Sequence, residues 1–403
     1  MPVDVTSEIG QLQTVLVHTP GPELEAVTPG NREDYLYDDI IDLEIAQREH
    51  RQFVSVLRRF ADVLQVRDLL AEILAQPEAR DFLITKTMDV LSSDELSQRL
   101  GTLPPAQIVE MLIEGTREES GPLAQALNEE GFAFPPLPNL FFPRDIGMVI
   151  GRRAVVGSMR YDVRWTEELL IKALFRYDQK FENAGILYDG SDEKRINYTL
   201  EGGDVHPIRP DLLVLGFSER SSPAALDLLC ELAFTHCGVT DVIIVVLPAE
   251  RTAIHLDMIF TQVDRDLCLV YPPHFVGPER LAVLHRRKRS KGVKEVPNFF
   301  AAMQAVDQPL EPIFCGGNHR TVQEREQWAS ACNSFAVRPG VILSYDRNDA
   351  TLAELTSAGF RVMTADETLK DGERAVIMIE GGELVRGGGG PRCMTLPLRR
   401  DDL

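Results

Sequence analysis

The chain is poor in thiols: six cysteines in 403 residues, none in a CxxC pair. That scarcity excludes a zinc ribbon and a disulfide framework, and it predicts the reduced thiols of a cytoplasmic protein. Long apolar runs are missing too, and none approaches the roughly 20 residues that a membrane span needs. Positive charge is short, with 42 Lys and Arg against 62 Asp and Glu for a net charge of -20. Such a surface argues against nucleic acid and anionic membranes as partners, and it suits a cationic ligand. The basic run from His285 to Lys291 reads as a solvated segment. Met1-Pro2-Val3-Asp4-Val5 has neither the basic nor the apolar region of a secretory signal. In a cytosolic chain the sequon Asn197-Tyr198-Thr199 carries no weight.

What is present alternates. Short β-rich runs at Thr14–His18, Leu212–Gly216, Val242–Leu247, Leu267–Tyr271, Val341–Ser344 and Ala375–Ile379 are interleaved with helical patterns. Those helices are expected at Glu44–Leu64, Thr166–Phe175, Ala224–Phe234 and Val322–Cys332, which makes the class α/β. One stretch breaks the alternation. Residues 68–131 read as consecutive helices at Leu69–Leu74, Ala79–Met88, Ser93–Leu100, Pro105–Glu114 and Leu123–Asn128. The expectation is an all-helical domain inserted into an α/β domain made of residues 1–67 and 132–403.

A weak internal repeat runs through the α/β part. Phe142-Pro143-Arg144-Asp145, Glu201-Gly202-Gly203-Asp204, His255-Leu256-Asp257-Met258, Cys315-Gly316-Gly317-Asn318 and Glu380-Gly381-Gly382-Glu383 recur about every 55 to 65 residues. If each is a turn at a strand end, the polar side chains face one centre inside a ring of ββαβ-type units. Near the chain's end, Gly387-Gly388-Gly389-Gly390-Pro391-Arg392-Cys393-Met394 sets a thiol beside a glycine turn that lets substrate approach closely. Asp145, Glu201, His255, Asp257 and Cys393 would then meet in one pocket. Carboxylates can grip a guanidinium in paired hydrogen bonds, a thiolate can attack its central carbon, and a histidine can protonate the departing nitrogen.

Several motifs in order resemble those of the bacterial arginine deiminases. They are Ser7-Glu8-Ile9-Gly10, Leu16-Val17-His18-Thr19-Pro20-Gly21, Pro138-Asn139-Leu140-Phe141-Phe142-Pro143-Arg144-Asp145, Glu201-Gly202-Gly203-Asp204, His255-Leu256-Asp257 and Gly389-Gly390-Pro391-Arg392-Cys393-Met394. The resemblance implies the pentein fold, a five-bladed pseudo-symmetric α/β propeller with a helical insert. It implies hydrolysis of L-arginine to L-citrulline and ammonia with no metal or other cofactor. Cys393 would be the nucleophile that carries an S-alkylthiouronium, His255 the general acid and then base, and Asp145 and Asp257 the guanidinium clamp. Glu201 would orient the substrate and support His255. Arg164 and Arg220 would hold the α-carboxylate with help from Asn139, and Phe142 would pack on the aliphatic stem. A homodimer or higher homo-oligomer is expected on the same ground.

The chain departs from that pattern at Gly388, within the gating loop that also holds Arg386; many members carry an arginine there that folds over the pocket. Pro143 also stands where threonine is common, with a minor effect expected. Two other readings are open: action on another guanidino compound or amidino transfer to an amine, and a non-catalytic arginine-binding protein.

Overall fold

The computed structural model describes residues 2–91, 100–117, 121–127, 131–181, 183–191 and 197–403. Among them five sheets share one construction, in which a middle strand pairs antiparallel on one side and parallel on the other. Leu12–Val17 pairs antiparallel with Leu396–Arg400 and parallel with Asp62–Gln65. Arg153–Val156 does the same with Gly147–Ile150 and Ile186–Asp189. Leu212–Phe217 lies between Val205–Arg209 and Asp241–Val246. Leu267–Val270 lies between Phe260–Gln262 and Glu311–Phe314. Val341–Tyr345 lies between Phe335–Arg338 and Ala375–Ile379.

The pattern has a simple cause. Antiparallel neighbours can be joined by a tight turn, whereas a parallel neighbour demands a crossover long enough for a helix. The crossovers contain the helices Leu43–Leu57, Trp165–Tyr177, Pro223–His236, Phe299–Ala305 and Asp349–Ser357. Asp42, Ser222 and Asn298 cap three of them by accepting from the backbone N–H three residues on. Only the sheet of Leu12–Val17 takes its antiparallel strand from the far end of the chain.

Each expected strand lies at its place within two residues. Two helices differ. The expected helix Glu44–Leu64 stops at Leu57, and Asp62–Gln65 becomes an edge strand beside Leu12–Val17. Phe60 and Leu64 keep helical spacing, but sheet pairing outweighs it. The helix expected at Val322–Cys332 runs Arg320–Trp328, because Ser330 turns left-handed with φ 58° and ends it. The helical stretch contains Val66–Ile73, Pro77–Leu91, Pro105–Glu114 and Pro122–Leu127. It also holds a small pairing of Thr116–Arg117 with Phe132–Phe134. Most of the expected helix Ser93–Leu100 lies outside the described residues. Leu70, Leu83 and Leu112 share one apolar cluster with Leu169 and Leu396, so this stretch packs directly on the α/β part.

The turns that lead into the five antiparallel strands build the site. Asp145 precedes Gly147–Ile150, Glu201 precedes Val205–Arg209, His255 and Asp257 precede Phe260–Gln262, and Cys393 precedes Leu396–Arg400. Two of the repeat turns read from the sequence do not converge. Asn318 is exposed, Glu380 is exposed and bonds Gln52, and Gly381 packs on the Tyr345 ring. The residue that precedes the remaining strand, Phe335–Arg338, is Asn333.

Candidate active site

The turn that leads to Cys393 needs its glycines. A Cβ on Gly387 or Gly389 would lie 2.7 Å from the Phe141 ring or 2.6 Å from the Phe142 ring, and one on Gly390 would lie 2.9 Å from Asn333. Without side chains there, Phe142 and Asn333 close onto the turn, and Cys393 is left only 4% exposed. Below it is a buried ion network. Arg144 donates from its backbone to the Cys393 carbonyl at 3.2 Å and from Nη1 to Glu8 at 3.3 Å. Arg392 donates to Glu8 from Nε and Nη2, and from Nη1 to Asp257 Oδ2 at 2.8 Å. Pro143 opens the short helix Pro143–Ile146, where a missing N–H costs nothing.

Asp257 and Asp145 flank this turn. The Cys393 thiol donates to Asp257 Oδ2 at 3.6 Å. Asp257 Oδ1 and Asp145 Oδ1 are buried and have no hydrogen-bond partner among the described residues. Burial, and then Asp257 and Asp145, push the Cys393 thiol well above its ordinary value. His255 Nε2 meets Glu201 Oε2 at 2.8 Å, and its Nδ1 lies 3.8 Å from Asp145 Oδ1. Burial pulls the imidazole pKa down, but Asp145 and Glu201 outweigh it and hold it at about 9. Burial opposes the Glu201 charge, yet Arg220 and His255 bring its pKa down to about 2. Gly203 makes room for the imidazole, since a Cβ there would sit 2.5 Å from His255 Cγ. Asp204, bonded by Ser218 and Ser221, accepts from the backbone of Leu256 and so fixes the His255 turn.

Asp145, Glu201 and His255 offer ligand atoms within 4.8 Å of one another. Arg164 and Arg220 already engage the two carboxylates, and their positive charge works against a divalent cation there. Arg164 donates to Asp145 Oδ2 at 2.7 Å, to Glu167 Oε2 from Nε and Nη2, and to the Asn139 carbonyl. Arg220 donates to Glu219 and Glu201 and lies over the Tyr161 ring at 4.7 Å. No acceptor engages its Nη2 among the described residues. Asn139 donates to the Tyr35 carbonyl.

These groups line one cavity: Asn139, Phe142, Asp145, Arg164, Arg220, His255, Gly388 and Cys393 are all in its wall. Its volume is about 20 Å³, room for roughly one water, so an amino-acid ligand must move a wall to enter. Leu36, at φ 66°, and the turn Gly387, Gly388 and Gly389 form part of that wall. Arg386 points outward to Asp39 and Glu383 and is not in the wall. Arg251 takes the place beside Gly388. It donates to Asp38 at 3.0 Å and to the Leu36 carbonyl at 2.6 Å, and its Nη2 lies 3.2 Å from where a Cβ on Gly388 would be.

Glu201 and His255 meet directly, as do Asp257 and Cys393, and Asp145 joins the first pair through its longer contact to His255. Sequence reasoning missed Asn333, Arg251 and the roles of Glu8, Arg144 and Arg392 beneath the turn. Glu8, Arg144 and Arg392 stood inside quoted motifs, which was the available signal; Asn333 and Arg251 had none.

Residues 33–400 match the family model described as arginine deiminase. The arginine deiminase of Bacillus cytotoxicus is 32% identical over 433 aligned positions, covering 100% of this chain and 99% of that protein. That of Streptococcus gordonii is 33% identical over 426, covering 100% and 99%. Among solved structures, the N-terminal domain of ArgZ, an arginine dihydrolase of cyanobacteria, superposes with TM-score 0.55 at 16% identity, over 96% of this chain and 97% of that one. A dimethylarginine dimethylaminohydrolase adduct with S-methyl-L-thiocitrulline gives 0.52 at 13% identity, over 96% and 99%. These structures share the mixed α/β fold, and on its full-length relatives and its family match the chain belongs to the arginine deiminase family.

Proposed function

We propose that the protein hydrolyses L-arginine to L-citrulline and ammonia at Cys393. The observation that carries this reading is the pair of orphaned carboxylate oxygens, Asp145 Oδ1 and Asp257 Oδ1, beside a buried thiol. Buried acceptors require donors, and a guanidinium brings five N–H groups with one positive charge. Its charge would offset the two carboxylates that hold the thiol up, so the thiol releases its proton to solvent as the substrate binds. Cys393 sulfur then bonds to the guanidinium carbon. His255, protonated at neutral pH, passes its proton to the departing nitrogen, which leaves as ammonia. The S-alkylthiouronium that remains is attacked by water, whose proton returns to His255. Collapse breaks the C–S bond, the adduct's hydroxyl proton passes to the departing thiolate and restores the thiol, and citrulline is released. Arg220, with free Nη2 donors, receives the α-carboxylate; Arg164 acts mainly by holding Asp145, with Asn139 and Phe142 along the substrate stem.

The repeated strand pattern supports a closed five-bladed propeller of the pentein type, residues 1–67 and 132–403, with residues 68–131 as a helical insert. Among the described residues no helix is long and apolar enough to cross a membrane. The family resemblance carries the further reading of a homo-oligomer that works on its side chains alone, and the sequence that of a cytoplasmic location.

The test is citrulline and ammonia release from L-arginine, with agmatine and Cys393→Ala in parallel. Equal yields of both products, weak turnover of agmatine and none by the variant are expected. Turnover surviving Cys393→Ala would overturn the covalent route.

A further inference from the structure

We propose that Asn333 is a catalytic residue, whose side-chain amide donates to the Cys393 sulfur and stabilises the thiolate each time it forms. The inference rests on Cys393 being the nucleophile.

Asn333 is fully buried and occupies the fourth of the five turns that lead into the antiparallel strands. The other four turns carry Asp145, Glu201, His255 with Asp257, and Cys393, so Asn333 holds the one turn left without a functional side chain. All four hydrogen-bonding sites of its amide are used. Oδ1 accepts from the backbone N–H of Arg392 at 3.0 Å and of Cys393 at 3.1 Å. Nδ2 donates to the Asp257 carbonyl at 3.2 Å and to Cys393 Sγ at 3.1 Å. The orientation is fixed by chemistry: rotating the amide would set its oxygen against a carbonyl and its nitrogen against two N–H donors. A donor on the sulfur is therefore an obligatory result of how Asn333 grips the turn.

The charges around the sulfur oppose ionisation. Asp257 and Asp145 face it, Tyr345 lies near, and Arg392 and Arg144 work in the other direction from beneath the turn. Arg392 is committed to Glu8 and Asp257, and Arg144 to Glu8 and the turn's own carbonyls. The Asn333 N–H is aimed at the sulfur itself. It is a weak bond to a thiol and becomes charge-assisted when the sulfur turns anionic. The sulfur is anionic twice in the cycle, as attacking group and again as leaving group when the water adduct collapses. Asn333 serves both steps, and through the Asp257 carbonyl and the two backbone N–H groups it holds nucleophile and carboxylate in register.

The variant that separates chemistry from scaffolding is Asn333→Asp. A carboxylate still accepts from both backbone N–H groups at nearly the same volume, but it presents an anionic oxygen to the sulfur. The readouts are the pH dependence of Cys393 alkylation by iodoacetamide without substrate, followed by mass spectrometry of the active-site peptide, together with kcat, KM and thermal unfolding. The alkylation midpoint should move up by about one pH unit or more, a tenfold loss of thiolate. A fall in kcat of about 100-fold should accompany it, with KM changed far less. If Asn333→Asp does not fold, Asn333→Ser, whose hydroxyl does not reach the sulfur, carries the same expectation. An unmoved alkylation profile with kcat within about threefold of the parent, in either variant, would overturn the proposal even if the unfolding temperature drops. Cys393→Ala separates the two readings: an active Cys393→Ala removes the nucleophile itself, whereas an inactive one beside normal Asn333 variants removes only this inference.

Discussion

Glu8 lies 385 residues before Cys393 in the chain, yet its loss should damage the turn that carries Cys393. Its carboxylate is 3% exposed and accepts from Arg144 at 3.3 Å and from Arg392 at 3.2 and 3.1 Å. Burial opposes its charge, but Arg144 and Arg392 overcome that and hold its pKa well below the usual carboxylate range. Glu8→Ala leaves both guanidiniums buried beside Arg400 with one anion fewer, a loss of about 3–5 kcal/mol for breaking a buried ion pair. An unfolding entropy of about 2.1 cal/mol/K per residue makes about 0.85 kcal/mol/K over the 403 residues. The thermal midpoint should therefore fall by about 4–6 °C. Arg392 Nη1 is also bonded to Asp257 Oδ2. Released from Glu8, Arg392 competes harder for that carboxylate, and kcat/KM should drop by about tenfold, near 1.4 kcal/mol. Glu8→Gln keeps the shape and acceptor and should recover part of the midpoint. Differential scanning calorimetry and steady-state citrulline assays read both effects. A Glu8→Ala protein that melts within about 1 °C of the parent would refute the ion-network argument.

Three other expectations follow from the site. His255, held at about 9 against an ordinary 6.5, places the alkaline limb of kcat/KM near 9. Glu201→Gln should move that limb to lower pH, and a limb that stays put counts against the pairing. The same shift bears on stability. The His255 contribution is complete below pH 6.5 and is lost as pH rises through about 9, while that of Glu201 is complete above 4.5 and is lost as pH falls through about 2. Gly203→Ala would push a methyl to 2.5 Å from His255 Cγ, so activity should fall by about 100-fold or more in a protein with unchanged circular dichroism. Arg251→Ala should raise KM several-fold by freeing Leu36 and Asp38, and Gly388→Arg should impair the parent more than it impairs Arg251→Ala, with the strain of a side chain at φ 85° left in both. Additive effects in that double-mutant cycle would show that the two positions do not share one space.

Much of this protein was legible along the chain. Strand runs such as Leu212–Phe217, apolar on both faces, and helices opened by Ser222-Pro223 or Pro104-Pro105 are local matters of side-chain periodicity, capping and proline geometry. Asp145, Glu201, His255, Asp257 and Cys393 stood out because each sits in a short motif with glycine or a second polar residue beside it. Asn333 did not, since Cys332-Asn333-Ser334 follows a helix and carries no pattern; the glycine pair Gly316-Gly317 drew the reading to the wrong turn. Nor could spacing reveal that Arg251 would occupy the room beside Gly388. Local chemistry set the elements and named the reactive groups. Which of them touch was decided by sheet pairing, which brings Leu396–Arg400 back onto Leu12–Val17 and carries Cys393 over Glu8, Asp257 and Asn333. A contact between residues hundreds of positions apart is a property of packing, and no local pattern encodes it.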